Sequence, residues 1–449
     1  MKLRIDHVDS GNITEAPLFN VRVRVPSPLG PSRAILLCAA VAGPAIIAFV
    51  SPRQSQTAEI EALARRVQRD IENLRGARFA QPVICRVANS DDIRTYVQRR
   101  WDAVNPPGRI DADESIAKLM GLIPPDMDLR ATALRFFEQG VSGFYDPGDR
   151  CLWIADTAPM ESLGPLLAHE LSHALDDQLF GLDATLVPLA GCTDAALAYL
   201  SVVEGSAAYI ASQWLSEQPN VHNTERAPEV SAFAFPMRIW KPILAPYVAG
   251  IAFVDYPRLS KRVGLASGEL VNQLYHAIPQ STEQVLHPDK YWDSSKRDEP
   301  IAVVISTESL PSGWSVSRQD TLGELILGIL CTLPESRDGA SIDADSEFPL
   351  TNEIVEGWGG DRVMLLSSTD EARFLLLVTV WDTVQDASEF YGALRILEPS
   401  LRGSAQSLVR SDRDSGAEVE YVSNTKVVLR VYAGVSAGDL RQLRRLTGQ

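Results

Sequence analysis

Cysteine is scarce in this 449-residue chain: there are five, an odd number, at positions 38, 85, 151, 192 and 331. That excludes a small scaffold held together by disulfides. Basic charge is also short, with 42 Lys and Arg against 58 Asp and Glu and a net charge of −16. Such a balance repels phosphate backbones and argues against nucleic acid as a partner. No internal repeat and no low-complexity tract is visible. With 45% hydrophobic and 22% charged residues, a disordered or collagen-like chain is excluded. The length gives room for two to three domains at roughly 150 residues each.

Long uncharged runs are lacking too, with one exception. Residues 34–50 read AILLCAAVAGPAIIAFV, seventeen residues without a charge, between Arg33 and Arg53. A membrane span needs about 20 apolar residues, with about 17 at the short end. Upstream lie Lys2, Arg4, Arg22, Arg24 and Arg33 against Asp6, Asp9 and Glu15. By the positive-inside rule the run predicts a single-pass anchor in the cell membrane, with the body of the chain extracytoplasmic. One alternative is secretion after signal cleavage near Ala40-Val41-Ala42. The other is a buried apolar segment. Gly43-Pro44 would kink a helix, but membrane helices tolerate such pairs. Leu37 is too bulky to mark Cys38 for lipid attachment. In an exported body the other four cysteines could pair in three ways.

Residues 1–33 read as a tail. From 57 a helix is predicted, because Ile60, Leu63, Val67, Ile71 and Leu74 recur at spacings of three and four and Gly76 stops it. A strand at 83–88 and helices at 90–101, 113–120 and 128–139 follow. Short apolar runs at 141–145 and 151–155 flank Asp146-Pro147-Gly148-Asp149, a hairpin signature. Helices are predicted at 161–179 and 193–216, joined by a loop holding Gly181, Pro188 and Gly191. A largely helical stretch runs to about 297. From 300 the pattern predicts strands at 362–367, 373–381, 418–423 and 425–432, and helices near 320–331, 383–397 and 436–446. Trp358 to Arg362 reads as a tight turn into a strand. The fold class is α+β: a mostly helical domain over 57–297 with a short β-hairpin or sheet, then a small antiparallel α+β domain over 300–449.

The chemical signal is His169-Glu170-Leu171-Ser172-His173, an H-E-x-x-H run. On a helix, residues four apart share one face, so two imidazoles can converge on one metal. The glutamate between them can reach water at that metal. Leu163, Leu167, Leu171, Leu175 and Leu179 form an apolar stripe at four-residue spacing, and the histidines flank it. Zinc needs a third protein ligand, with one position left for water. Glu204 adjoins the stripe Leu197, Leu200, Val203, Ala207, Ile210 and Trp214 of the next long helix, where an unpaired carboxylate would be costly. At about 1.5 Å per residue, His173 lies about 9 Å from its helix end and Glu204 about 16 Å from its helix start. The connecting loop is long enough to absorb that offset. Asp194 is the runner-up ligand. Asp176 and Asp177 either orient the histidines or face solvent.

At these residues the chain resembles the gluzincin metallopeptidases, in which an H-E-x-x-H pair is completed by a glutamate on a following helix. It is similar in particular to poorly characterised bacterial metallopeptidases, through Gly143-Phe144-Tyr145-Asp146-Pro147, Leu166 to Gln178, Val203-Glu204-Gly205, Ser281 to Pro288 and Gly357 to Arg362. The resemblance spans about residues 57–449. It implies a zincin-like peptidase domain with one Zn2+ per chain on His169, His173 and Glu204, and Glu170 as general base. Such relatives often carry an acidic residue two positions after the glutamate ligand, where this chain has Ser206.

The expected activity is zinc-dependent hydrolysis of a peptide or protein substrate. Zinc lowers the pKa of bound water, Glu170 takes its proton and then hands it to the leaving amine. Candidate oxyanion donors are Tyr145 at the turn, Tyr209 on the Glu204 helix and His287 at the end of a helix opened by a Ser281–Gln284 capping box. The strand at 141–145 could pair with an extended substrate. The rival reading is a binding or scaffold protein that keeps the fold without turnover. A hydrolase of non-peptide amides or esters is a third.

Overall fold

The computed structural model describes residues 54–104, 108–140, 142–218, 237–260, 266–332, 350–409 and 413–446. The expected tail and the apolar run at 34–50 lie outside them. The chain starts with α1 (Gln54–Arg75), which buries Ile60, Val67 and Ile71. Next come β1 (Ile84–Ala88), α2 (Ser90–Val104), α3 (Arg109–Leu119) and α4 (Leu129–Gly140). The expected hairpin follows as β2 (Gly143–Asp146) and β3 (Cys151–Ala155). The Asp146 carboxylate shapes its turn by accepting from the backbone N–H of Gly148 and Asp149. The sheet order is β1-β3-β2, with β1 parallel and β2 antiparallel to β3. β2 is therefore an edge.

Two long helices carry the motif residues. They are α5 (Met160–Phe180) and, after the short α6 (Leu182–Leu189), α7 (Thr193–Ser216). The pattern of Gly181, Pro188 and Gly191 predicts a loop between α5 and α7. Instead Gly181, at φ 70°, ends α5 and the chain turns at once into α6, which buries Leu182. On α5, Leu163, Leu167, Leu171 and Leu175 are buried as the stripe requires. Each is worth about 1.5–3 kcal/mol of transfer free energy. Leu179, at 42% exposure, is not part of that core. Among the described residues one helix, Thr193–Ser216, is long and apolar enough to cross a membrane, and 72% of its apolar window is buried inside the protein. The helical part closes with α8 (Met237–Leu259), α9 (Ser267–His276), α10 (Thr282–Leu286) and α11 (Asp289–Trp292).

The C-terminal half contains β4 (Trp314–Asp320), α12 (Gly323–Cys331), β5 (Trp358–Ser368), β6 (Arg373–Trp381), α13 (Val384–Leu408), β7 (Asp414–Ser423), β8 (Lys426–Val435) and α14 (Ala437–Leu443). Its five strands form an antiparallel sheet in the order β4-β5-β6-β8-β7. Both faces are covered. Val363, Leu365, Leu375, Leu377 and Leu429 pack with α12, α13 and Ile116 and Leu119 of α3. Met364, Leu366, Phe374, Leu376 and Val428 pack on the other side with Val303, Ile305 and α14. Two-sided burial explains the unbroken apolar runs of these strands. The fold is thus α+β, with the expected antiparallel sheet in the second half.

Three local expectations are corrected. The sequence pattern does not predict β4, because its largely exposed stretch WSVSRQD has little apolar content. α13 runs on past Pro399, because Leu401 and Ala405 are buried along with Leu394 and Leu397. Trp358 to Arg362 are the first residues of β5 rather than a turn before it. A bulge follows Trp358, and a Cβ on Gly360 would sit 2.2 Å from the carbonyl oxygen of Ile301. Cys85, Cys151, Cys192 and Cys331 are all free thiols.

A buried polar junction joins the two halves at the start of α7. Asp194 accepts from the backbone N–H and the hydroxyl of Thr282, at 2.7 and 2.6 Å. Asp320 accepts from the backbone and side chain of Thr193. Asp361 accepts from the backbone N–H of Leu322 and Gly323 and from the Trp358 indole. Gly323, at φ 78°, lies against the Asp194 carboxylate, where a Cβ would collide. Burial pushes Asp194 up to about 7, over the hydrogen bonds from Thr282 and with repulsion from Asp361 and Glu324. Burial likewise pushes Asp361 up to about 6. Both carboxyls bind protons more tightly in the folded chain than in the unfolded one. The stability they contribute is complete below the ordinary carboxylate range and is lost as pH rises through 6 to 7. Denaturation midpoints should therefore fall between about pH 4 and 7, and Asp194→Asn should flatten that slope. A profile that rises with pH, or an unchanged slope in the variant, would contradict this account.

Candidate metal centre

α5 and α7 pack side by side and bring three donor atoms together. His169 Nε2 lies 3.0 Å from His173 Nε2 and 3.2 Å from Glu204 Oε2. His173 Nε2 lies 3.3 Å from the same oxygen. The three donors lie within 4.8 Å of one another. The histidines are 4% and 8% exposed, so the cluster is largely shielded from water. Two imidazole nitrogens and a carboxylate oxygen converging in a buried place form a donor set for a cation. Their types suit zinc, which takes His and Glu ligands and leaves a position for water. Burial pushes Glu204 upward, but attraction to His173 and hydrogen bonding to both imidazoles hold its carboxyl well below the usual range. Glu204 is thus kept ionised.

Glu170 lies beside this set, 4% exposed. Its Oε2 accepts from the Tyr145 backbone N–H at 2.8 Å, so the edge strand β2 holds the carboxylate in place. Burial pushes Glu170 up to about 7, opposed by His169 and the Tyr145 N–H and assisted by the negative Glu204. A carboxyl poised near neutrality can both take and give a proton.

The three candidate oxyanion donors are placed differently. The Tyr145 hydroxyl donates to Asp177 at 2.9 Å, so this residue meets the site through its backbone. The Tyr209 hydroxyl is paired with Ser267 at 3.3 Å. His287 Nε2 is 2.8 Å from Glu324. No hydrogen bond or ion pair joins Tyr209 or His287 to the donor cluster. Asp177 also accepts from the Leu182 N–H and so ties α5 to α6. Asp176 is fully buried, paired with Arg75 and accepting from the Tyr275 hydroxyl. It bonds to neither imidazole, although its charge favours protonated His173. Asp194, the runner-up ligand, belongs to the junction and stands apart from the cluster. A second acidic group, Glu283, Asp298 and Asp382, has the Lys290 ammonium at its centre. A lysine already supplies its positive charge.

Sequence reasoning missed the contribution of α8. A Cβ on Gly205 would lie 2.3 Å from the carbonyl carbon of Gly250, and one on Gly250 would lie 2.3 Å from the Ser201 carbonyl oxygen. α7 and α8 therefore cross backbone to backbone, next to Glu204. One turn before Gly250, the Tyr247 ring stacks on His169 at 6.1 Å between centroids, 20° from parallel. The legible signal was the pair of glycines inside apolar helices, which mark close backbone approach. Tyr247 itself carried none.

A domain of unknown function (DUF8575) matches residues 312–444, which cover the C-terminal sheet and leave out the donor cluster. A crystal structure from Chloroflexus aurantiacus, described as a candidate hydrolase with a novel fold, is similar at 14% identity with a TM-score of 0.37. The match covers 60% of this chain and 98% of that one. No curated protein matches the sequence.

Gly205→Ala should destabilise the protein by about 1–3 kcal/mol through overpacking. Gly403→Ala, on an open face of α13 with nothing within 4 Å, should be neutral or stabilising. Urea unfolding of both variants checks the contrast. Equal effects would mean that the crossing is not tightly constrained.

Proposed function

We propose that the protein is a zinc-dependent hydrolase of peptide bonds, with His169, His173 and Glu204 as ligands and Glu170 as general base. The observation that carries the reading is the convergence of His169 Nε2, His173 Nε2 and Glu204 Oε2 within 3.3 Å, beside a buried glutamate. Zinc held by these residues would supply an activated water and polarise a carbonyl. The rest is the work of the chain. The Tyr145 N–H fixes Glu170 Oε2 and leaves Oε1 to accept a proton and return it to the departing amine. Burial excludes bulk water, and the negative Glu204 helps keep Glu170 basic enough to take that proton. The substrate is a peptide or protein, and residues 34–50 attach the catalytic part to the outer side of a membrane.

A second reading, a binding protein without turnover, is supported by what surrounds the ligands. Ser206 is fully buried with an unpartnered hydroxyl, at the position where relatives often carry an acid. The cluster therefore receives no acidic support from that side.

Glu170→Gln should retain bound zinc and lose about 10²–10⁴-fold in cleavage of a denatured protein substrate. Glu204→Ala should lower zinc content more than Asp194→Ala, both measured by elemental mass spectrometry. Wild-type protein that holds zinc and cleaves nothing would favour the binding reading. Full activity in Glu170→Gln would place the base elsewhere.

A further inference from the structure

A histidine ligand is usually oriented by a hydrogen bond from its second ring nitrogen. Here His169 Nδ1 and His173 Nδ1 are both buried, and neither has a hydrogen-bond partner. The imidazole torsion is intrinsically broad, so something else must set the ring planes. Apart from Nε2, which faces Glu204, the ring contacts of His169 are aromatic. The His173 ring stands nearly perpendicular to it, at 4.6 Å between centroids and 89°, and Tyr247 lies nearly parallel to it at 6.1 Å. Tyr247 belongs to α8, whose Gly250 sits against Gly205, the residue after Glu204. Residues three apart share a helix face. One backbone crossing therefore fixes the carboxylate ligand and the stacked tyrosine relative to each other.

We infer that Tyr247 is a positioning residue for the metal centre: its ring, by stacking, takes the place of the missing hydrogen bond and holds the His169 imidazole with Nε2 toward His173 and Glu204. This rests on reading the cluster as a cation site. What matters is the aromatic face, not the hydroxyl. Ring stacking at this separation and the loss of an orienting partner together set the expected effect at about tenfold in cation affinity.

The experiment is a titration of the full-length, metal-stripped chain with Co2+, followed by visible absorption, with Zn2+ competition to give the zinc affinity. Wild type, Tyr247→Phe and Tyr247→Leu are compared, and Tyr247→Met replaces the leucine variant if that one fails to fold. Tyr247→Phe should bind within about threefold of wild type, whereas the leucine or methionine variant should bind about tenfold more weakly. That rescue by phenylalanine is not expected of a tyrosine acting through its hydroxyl. Equal affinity in all variants would overturn the inference while leaving the metal centre intact. An equal loss in Tyr247→Phe and Tyr247→Leu would overturn it in favour of the hydroxyl. A wild-type chain that binds no cation would overturn it together with the metal reading.

Discussion

The constraint on which the rest depends is the register between α5 and α7. A glutamate on one helix must face, within hydrogen-bond distance, two imidazoles one turn apart on the other. A shift of one residue along either helix moves the donor by about 1.5 Å and turns it by about 100°. Register is held from three directions. The leucine stripe of α5 packs in the core, Gly205 admits α8 against the back of α7, and the start of α7 is tied down by Thr282, Thr321 and Asp320. The buried Arg75–Asp176 pair links α1 to α5, with Tyr275 of α9 completing the network.

This arrangement gives the C-terminal half a structural role. Asp320 and Thr321, in a segment that Asp361 holds through the Leu322 and Gly323 N–H groups, fasten the same helix that carries Glu204 about ten residues further on, roughly 15 Å along its axis. The fastening consists of carboxylates buried on backbone and threonine donors. It is strong only when every donor is in place, and it sits in a region whose protonation changes near neutrality. Cutting the chain near residue 300 would leave Thr282 on the Asp194 carboxylate but remove Asp320 from Thr193 and the Thr321 carbonyl from the Asp194 N–H.

Much of this could be read in the residues. The 3.6-residue periodicity of α1 and α5, the Asp-Pro-Gly-Asp hairpin and the H-E-x-x-H run on a helix depend on local pattern, and the structure reproduces them. The apolar runs of β5, β6 and β8 were also legible as strands, whereas their burial on both faces is seen only in the fold. What escaped depends on contacts distant in sequence. β4 is held by its neighbour β5 and by Arg318 reaching Asp113. Pro399 is overridden by the packing of Leu401 and Ala405. Gly205 with Gly250, and Tyr247 on His169, involve residues more than 40 positions apart. Tyr145, picked for its phenol, meets the site through an N–H, which every residue but proline possesses and no side-chain pattern can reveal.

The central claim is that His169, His173 and Glu204 share one cation. X-ray absorption at the zinc edge of the full-length, zinc-loaded protein tests it most directly. Four nitrogen or oxygen neighbours are expected at about 2.0–2.1 Å, two of them with the outer-shell scattering of imidazole, and that imidazole signature should weaken in His173→Ala. Sulfur neighbours at about 2.3 Å, or a spectrum unchanged by the substitution, would contradict the claim.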